Sequence, residues 1–357
     1  MNFERITYNI KNMPYEEIAG YYTVIENSFL KNTAGKKCVV KYLDLGVKTV
    51  KFEIFDEGFI NLIDKNFSYC LKEKAVSFDV VFRLWRDDVN KYAADSLAHA
   101  DNIFISHNER PVIKLYKKDN ALSACDNEKN VFYFAANDLS KEFASKNGHI
   151  FIDFISEIVK TPESALVHAA CVGIENEGVL ICGRGGRGKS TLAVSCLADG
   201  FQYISDDYLI LNKKTDALYA YPIYSVIILS PQMFKKIPDL KSEFLWDNYN
   251  NTKYVFDVSA HHGNFVNKMP LRTVIFPEIC PGIKEPFIEP VHKGKAIAQL
   301  VYSTVYQTGE QKNTQFLKQL ISFVSDLDFY RINLSPDLKA NTAILKKFIK
   351  ERRVKNV

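Results

Sequence analysis

The sequence predicts an α/β protein of two domains. One is a smaller N-terminal mixed α/β or β-rich domain, and the other is a C-terminal α/β domain built around a phosphate-binding loop. Three observations predict it. The chain has 357 residues, and a domain usually takes about 100–200. Near residue 150 the texture changes from short β-like runs between polar turns to apolar strands alternating with amphipathic helices. Finally, Gly183–Ser190 fits G-x-x-x-x-G-K-[ST] at every fixed position. These place the domains at 1–150 and 151–357.

Composition removes several function classes. Hydrophobic residues make up 47% and charged residues 25%, which suits a folded domain and excludes disorder as the main state. Lysine and arginine number 46 against 42 acids, a net charge of +4. No long basic run accompanies it, so nucleic acid is not an expected partner. No apolar run reaches the roughly 18 residues of a membrane span, and the start MNFERITYNIKNMPYEE is too charged for a signal peptide. The seven cysteines show no zinc spacing. Cys171, Cys182 and Cys196 lie in apolar runs and read as core residues of a cytoplasmic, reducing-compartment protein.

The elements follow in chain order. Val39–Leu45, Thr49–Phe55 and Val131–Ala135 read as strands, and Asp88–Ala100 as a helix or a loop. Ile150, Phe151, Phe154, Ile155 and Ile158 have helical spacing, and Thr161-Pro162 ends that helix. Ala165–Val172 and Val179–Cys182 are strand-like. Thr191–Ala198 is an amphipathic helix, with Gly200 where a C-terminal cap glycine belongs. Phe201–Ser205, Tyr208–Leu211, Leu218–Tyr221 and Ser225–Leu229 continue the sheet, and Arg272–Phe276 is a further strand. Residues 231–270 are long, polar and aromatic. Helices are expected over Ala296–Tyr306, Thr314–Val324 and Leu338–Ile349, with Ser335 capping the last and Pro336 at its first position. The basic end, KKFIKERRVK, reads as that helix's solvated face.

The chemistry lies around the glycine-rich loop. Gly183, Gly185, Gly186 and Gly188 let successive backbone N–H groups face phosphate oxygens, and the following helix points its positive end there. Lys189 can reach the β- and γ-phosphates, and the Ser190 hydroxyl can ligand Mg²⁺. Arg184 and Arg187 inside the loop are either phosphate contacts or solvated charges. Asp206 and Asp207 end the strand after the helix, where a carboxylate can hold Mg²⁺ or take a proton from an attacking hydroxyl. His168, in an apolar strand before the loop, is either a satisfied core histidine or a member of the same site. His261-His262 reads as surface.

With these residues placed, the run VHAACVGIENEGVLICGRGGRGKSTLAVSCLADGFQYISDDYLIL resembles the catalytic domain of HPr kinase/phosphorylase, whose fold is related to that of ATP-dependent phosphoenolpyruvate carboxykinases. The order is histidine, strand, loop, helix, glycine, strand and two aspartates, with His168 21 residues before Lys189 and Asp207 18 after it. The close match covers about residues 165–212. The resemblance implies that Gly183–Ser190 with Thr191 bind ATP, that Lys189 stabilises the transferring phosphoryl group, and that Ser190 and Asp206 hold Mg²⁺. It also implies that Asp207 accepts the substrate proton and that His168 belongs to the cluster, and it suggests a homo-oligomer.

The chain departs from that family in two places. Residues 220–232 contain no acid where the bifunctional enzymes carry a metal-binding glutamate, and Thr191 stands where an acid usually follows the loop serine. The pattern is therefore closer to HPr-kinase-related proteins, some of which modify peptides. The expectation is a kinase that phosphorylates a serine or threonine of a peptide or small protein. A kinase of a small hydroxylated metabolite such as free serine (with Lys253, Lys268 or Arg272 as cationic anchors) and a nucleotide-binding regulator without transfer remain open.

Overall fold

A computed structural model describes residues 15–89, 103–106, 113–118, 121–126, 128–137, 139, 149–247, 252–308 and 313–355. The expected helix or loop at Asp88–Ala100 falls mostly outside these residues. The chain divides into two compact units. One contains residues 1–44, 48–65 and 71–150, and the other contains 45–47, 66–70 and 151–357.

The first unit holds an eight-stranded mixed sheet. Its strands are β1 (Val39–Asp44), β2 (Thr49–Ile54), β3 (Leu71–Lys72), β4 (Val80–Arg86), β5 (Ile103–Ser106), β6 (Ile113–Lys118), β7 (Ala121–Asp126) and β8 (Val131–Ala136). The order is β3-β1-β2-β4-β8-β7-β6-β5, with β2, β4 and β8 parallel at the centre. Helix α1 (Tyr15–Thr33) buries Ile18, Tyr22, Ile25 and Phe29 on one stripe. Phe29 meets Trp85 and Tyr133 edge-on, with ring centroids 5.3 and 5.4 Å away. Helix α2 (Glu57–Phe67) buries Phe59 and Ile63, and Phe59 lies edge-on to Phe134. Both helical stripes have ordinary 3.6-residue spacing, which the strand-centred sequence reading of this region does not include.

The second unit is built on a nine-stranded mixed sheet. Its strands are β9 (Ser164–His168), β10 (Ala170–Ile174), β11 (Glu177–Ile181), β12 (Gln202–Ser205), β13 (Tyr208–Lys213), β14 (Leu218–Tyr221), β18 (Met269–Ile279), β19 (Phe287–Pro290) and β20 (Asp328–Leu334). The path runs β12-β10-β11-β18-β14-β13-β9, and β20 joins β18 with β19 beyond it. The single expected strand over 165–172 is two. The chain breaks pairing at Ala169, so that β9 pairs with β13 and β10 with β11 and β12. The pairs His168↔Tyr208 and Cys171↔Ser205 nevertheless share one antiparallel register. The two edges of the sheet are thus one bent ribbon, interrupted at Ala169 and at Asp206-Asp207.

Each face of this sheet buries its own core. Ala165, Val167, Ala169 and Cys171 alternate onto one face with helices α6 (Lys293–Thr308) and α7 (Thr314–Val324). Ala170, Val172, Val179 and Ile181 face α4 (Lys189–Ala198) and α8 (Leu338–Lys355). Helix α3 (Ile152–Val159) buries Ile155 and Val159. The α4 end is closed as the sequence suggests: Gly200, at φ +80°, donates to Leu197, and Phe201 donates to Cys196. These are the two bonds of a Schellman cap. At α8 the cap is not Ser335. The Asp337 carboxylate accepts from the Lys339 and Ala340 amides at 2.9 and 3.1 Å, and the Ser335 hydroxyl instead accepts from Asp337 N–H. The outward row of α8 is solvated as expected, with Lys347 and Lys350 exposed and Ile349 buried.

Residues 225–229 do not continue the main sheet. Among the described residues, strand β15 (Val226–Leu229) pairs only with β17 (Tyr254–Asp257), which pairs with β16 (Glu243–Asp247) in a separate three-stranded sheet. A four-residue helix, α5 (Pro231–Phe234), follows β15, and a 3₁₀ helix spans Ser259–Asn264. His261-His262 lies in that helix, and His261 is buried rather than at the surface. Its Nε2 accepts from the Lys241 amide at 3.0 Å. Burial holds both imidazoles below their ordinary range.

Two glycines let β18 approach the β10–β11 hairpin. Gly173 and Gly178 face each other across it. A Cβ on Gly178 would meet Met269 Cγ at 2.6 Å and the Pro270 carbonyl at 2.7 Å. The second contact is backbone and cannot step aside. Gly178→Ala is therefore expected to destabilise this unit by about 1–3 kcal/mol, read from the urea-unfolding midpoint.

Candidate functional site

The strand β11 runs into Gly183–Gly188, and the last of these glycines starts α4. Gly183, Gly186 and Gly188 have φ of +154°, +80° and +97°. Gly188 is also crowded, since a Cβ there would lie 2.8 Å from Leu334 Cδ1. At Gly185 and Gly186 a Cβ would meet nothing within 4 Å, so the loop's outer part faces open space. No side chain caps α4. Its first amides and its positive end are therefore directed at whatever lies over the loop.

Lys189 opens α4 and is only 6% exposed. Its Nζ lies 3.5 Å from Asp207 Oδ1 and 3.2 Å from His168 Nε2. His168 Nε2 is itself 2.8 Å from Asp207 Oδ1. Three of the residues singled out in sequence thus meet within one hydrogen-bonding cluster, brought there by the ribbon break: His168 ends β9, and Asp207 lies in the turn opposite. The Ser205 hydroxyl shapes that turn by donating to the Tyr208 carbonyl at 2.7 Å and accepting from Asp207 N–H at 3.2 Å.

Asp206 points the other way, into the protein. It is 2% exposed. Its Oδ1 accepts from the Tyr203 hydroxyl at 3.2 Å, while Oδ2 is buried with no hydrogen-bond partner. Burial first, and the neighbouring Asp207 charge second, push its carboxyl up to about 7. Lys189, the Ile228 backbone amide and Tyr203 offset this only in part. Burial likewise pushes the Tyr203 phenol far up, so it stays a donor. The Ser190 hydroxyl is close by, donating to the Asp206 carbonyl at 3.4 Å. Among the described residues no group of three or more His, Cys, Asp or Glu could hold a metal alone. A half-buried Ser190 and an under-satisfied Asp206 carboxylate fit a small, oxygen-seeking cation that brings most of its ligands with it.

The remaining loop residues divide. Thr191 is half-buried in the first turn of α4. Arg184 lies over the Tyr302 ring, 5.3 Å from its centroid, and Arg187 pairs with Glu278 at 3.3 Å. Both arginines are exposed. Neither touches the His168–Lys189–Asp207 cluster.

Two residues of the site escape the sequence reading. Tyr203 gives no signal, because a tyrosine in a strand is common. Ser303, on α6, is 5% exposed and lies between His168 Nδ1, at 3.1 Å, and the Gly183 carbonyl, at 3.2 Å. Its signal is faint. It is a polar residue on the helix face that otherwise buries Ala296 and Leu300.

No family model matches the chain, and no curated protein matches it. Among solved structures, the Hpr(Ser) kinase/phosphatase from Coxiella burnetii is similar at 15% identity and a TM-score of 0.29. The match covers 53% of this chain and 91% of that one. At that score the likeness adds nothing to the geometry above. No helix among the described residues is long and apolar enough to cross a membrane.

The Asp206 environment has a measurable consequence. Its carboxyl titrates near 7 when folded and near about 3.9 when unfolded. Between those values the unfolded chain carries the charge and the folded chain holds the proton. The unfolded state then binds fewer protons, so stability falls as pH rises from about 4 to about 7. Asp206→Asn is expected to flatten that slope and to raise stability at pH 8 by about 1–3 kcal/mol. Urea unfolding of both proteins across this pH range checks it.

Proposed function

We propose that this protein is an ATP-dependent kinase. It would transfer the γ-phosphoryl group to a serine or threonine hydroxyl of a peptide or small protein, with a fold of the HPr-kinase and phosphoenolpyruvate-carboxykinase type. One observation carries the reading. Lys189, His168 and Asp207 converge within 3.5 Å of one another, directly beneath a glycine-rich loop and an uncapped helix N-terminus. A cation, a carboxylate and an anion-binding helix end are the parts that phosphoryl transfer requires, since its catalysis is positioning plus charge stabilisation.

The roles follow from placement. The amides of Gly183–Ser190 and Thr191 hold the nucleotide phosphates. Lys189 balances charge on the transferring phosphoryl oxygens. Ser190 Oγ and the Asp206 carboxylate would hold Mg²⁺, which when bound neutralises phosphate charge. Asp207 accepts the hydroxyl proton as the substrate oxygen bonds to the γ-phosphorus. The bond from that phosphorus to the β-phosphate oxygen breaks, and ADP leaves. His168 holds Asp207 through Nε2. Two lone-pair atoms 2.8 Å apart require one proton between them, so the carboxylate is anchored at Oδ1.

The test is transfer followed by mass spectrometry, with ATP, Mg²⁺ and a pool of peptides containing serine and threonine. Lys189→Ala and Asp207→Asn are each expected to lower transfer at least about a hundredfold. Asp207→Asn should keep nucleotide affinity, measured by calorimetry. Full transfer by Asp207→Asn would remove the role assigned to it. Nucleotide binding with no transfer to any acceptor would replace the kinase with a nucleotide-binding regulator.

A further inference from the structure

Ser303 stands apart from the proposed catalytic set and is tied to it at both ends. A serine inside a helix usually satisfies its hydroxyl on a carbonyl one turn back. Ser303 does not. Its single hydroxyl proton goes across to the Gly183 carbonyl at 3.2 Å, the residue where β11 enters the glycine loop. A carbonyl can only accept, so this bond fixes the direction of the next one. The Ser303 oxygen must accept from His168, whose Nδ1 is 3.1 Å away. Nδ1 therefore carries a proton, and the ring is held with Nε2 turned to Asp207 and Lys189.

The surroundings leave the ring little alternative. His168 is 7% exposed. Tyr208 lies against it with centroids 5.4 Å apart, and its two nitrogens meet Ser303 on one side and Asp207 with Lys189 on the other. We infer that Ser303 is a positioning residue that holds a proton on His168 Nδ1, beside the one that Nε2 shares with Asp207, and fixes the orientation of the ring, and so couples the start of the glycine loop to the carboxylate of Asp207. The catalytic value of that coupling rests on the kinase reading. The hydrogen-bond assignment does not. Behind a metal-ligating histidine, a second partner that fixes the tautomer is commonly worth about 10–100-fold in affinity or activity, and a similar order is expected here.

The first measurement is therefore made on the ligand-free protein. Long-range ¹H–¹⁵N spectra of the full chain report which ring nitrogen bears a proton, with the His168 signals assigned by their loss in His168→Gln. The expected result is a protonated Nδ1 in the wild type and in Ser303→Thr, which keeps the hydroxyl. In Ser303→Ala the Nδ1 signal should move toward the unprotonated range. An unchanged Nδ1 signal in Ser303→Ala would overturn the inference whether or not the protein transfers phosphate. The second measurement is turnover. Ser303→Ala should lower kcat roughly tenfold while KM for ATP stays within about twofold, and Ser303→Thr should recover it. A loss carried entirely by KM would make Ser303 part of the nucleotide site instead. Failure of the kinase reading would show separately, as absence of transfer by the wild type.

Discussion

The interruption of a single β-ribbon is the constraint on which the candidate site depends. Across the break, β9–β10 and β12–β13 keep one register from His168↔Tyr208 to Cys171↔Ser205, a one-residue shift following beyond Cys171, yet backbone pairing lapses at Ala169 and at Asp206-Asp207. Where a ladder lapses, the side chains no longer have to alternate strictly between two faces. Asp206 and Asp207 are adjacent and still point to different surroundings, one into the core and one to His168 and Lys189. The same bend brings both edges of the sheet to the place where α4 begins.

That arrangement puts charge where charge is costly. Lys189 and Asp206 are almost wholly buried, and burying ions costs free energy that mutual attraction restores only when every polar atom is paired. Here pairing is incomplete, because Asp206 Oδ2 has no partner. The loop backbone adds no such cost, because its three positive-φ positions are glycines, which adopt that region freely. Unsatisfied polarity of this kind persists only where the surrounding packing holds it. The packing does so here from both sides, through the α6–α7 core on one face of the sheet and the α4–α8 core on the other.

What could be read from sequence follows from what local patterns encode. The glycine loop, α4 and its Schellman cap are legible because each depends on residues within a few positions. The run Ala165–Val172 is legible as strand because it is apolar apart from His168. It says nothing about neighbours, so the change of partner at Ala169 is invisible. The departure of β15 from the main sheet is hidden for the same reason, since Val226–Leu229 is apolar in either place. Ser335-Pro336-Asp337 offers two cap candidates in one tripeptide, and only backbone geometry chooses Asp337. His261-His262 looks like surface because its burial comes from distant chain, including the Lys241 amide. Ser303 is the extreme case, since both of its partners lie more than a hundred residues away.

The small sheet divides its labour unevenly. Ile227 of β15 and Phe256 of β17 belong to the core that also seats α4, whereas Phe244 on the outer strand β16 is 52% exposed. Substitutions in β15 or β17 would disturb the helix that carries Lys189. Substitutions along β16 meet that core only at its margin, where Phe244 lies edge-on to Phe256. The inner strands thus serve as part of the helix's seat, while the exposed side of the outer strand is a rim with room for other side chains.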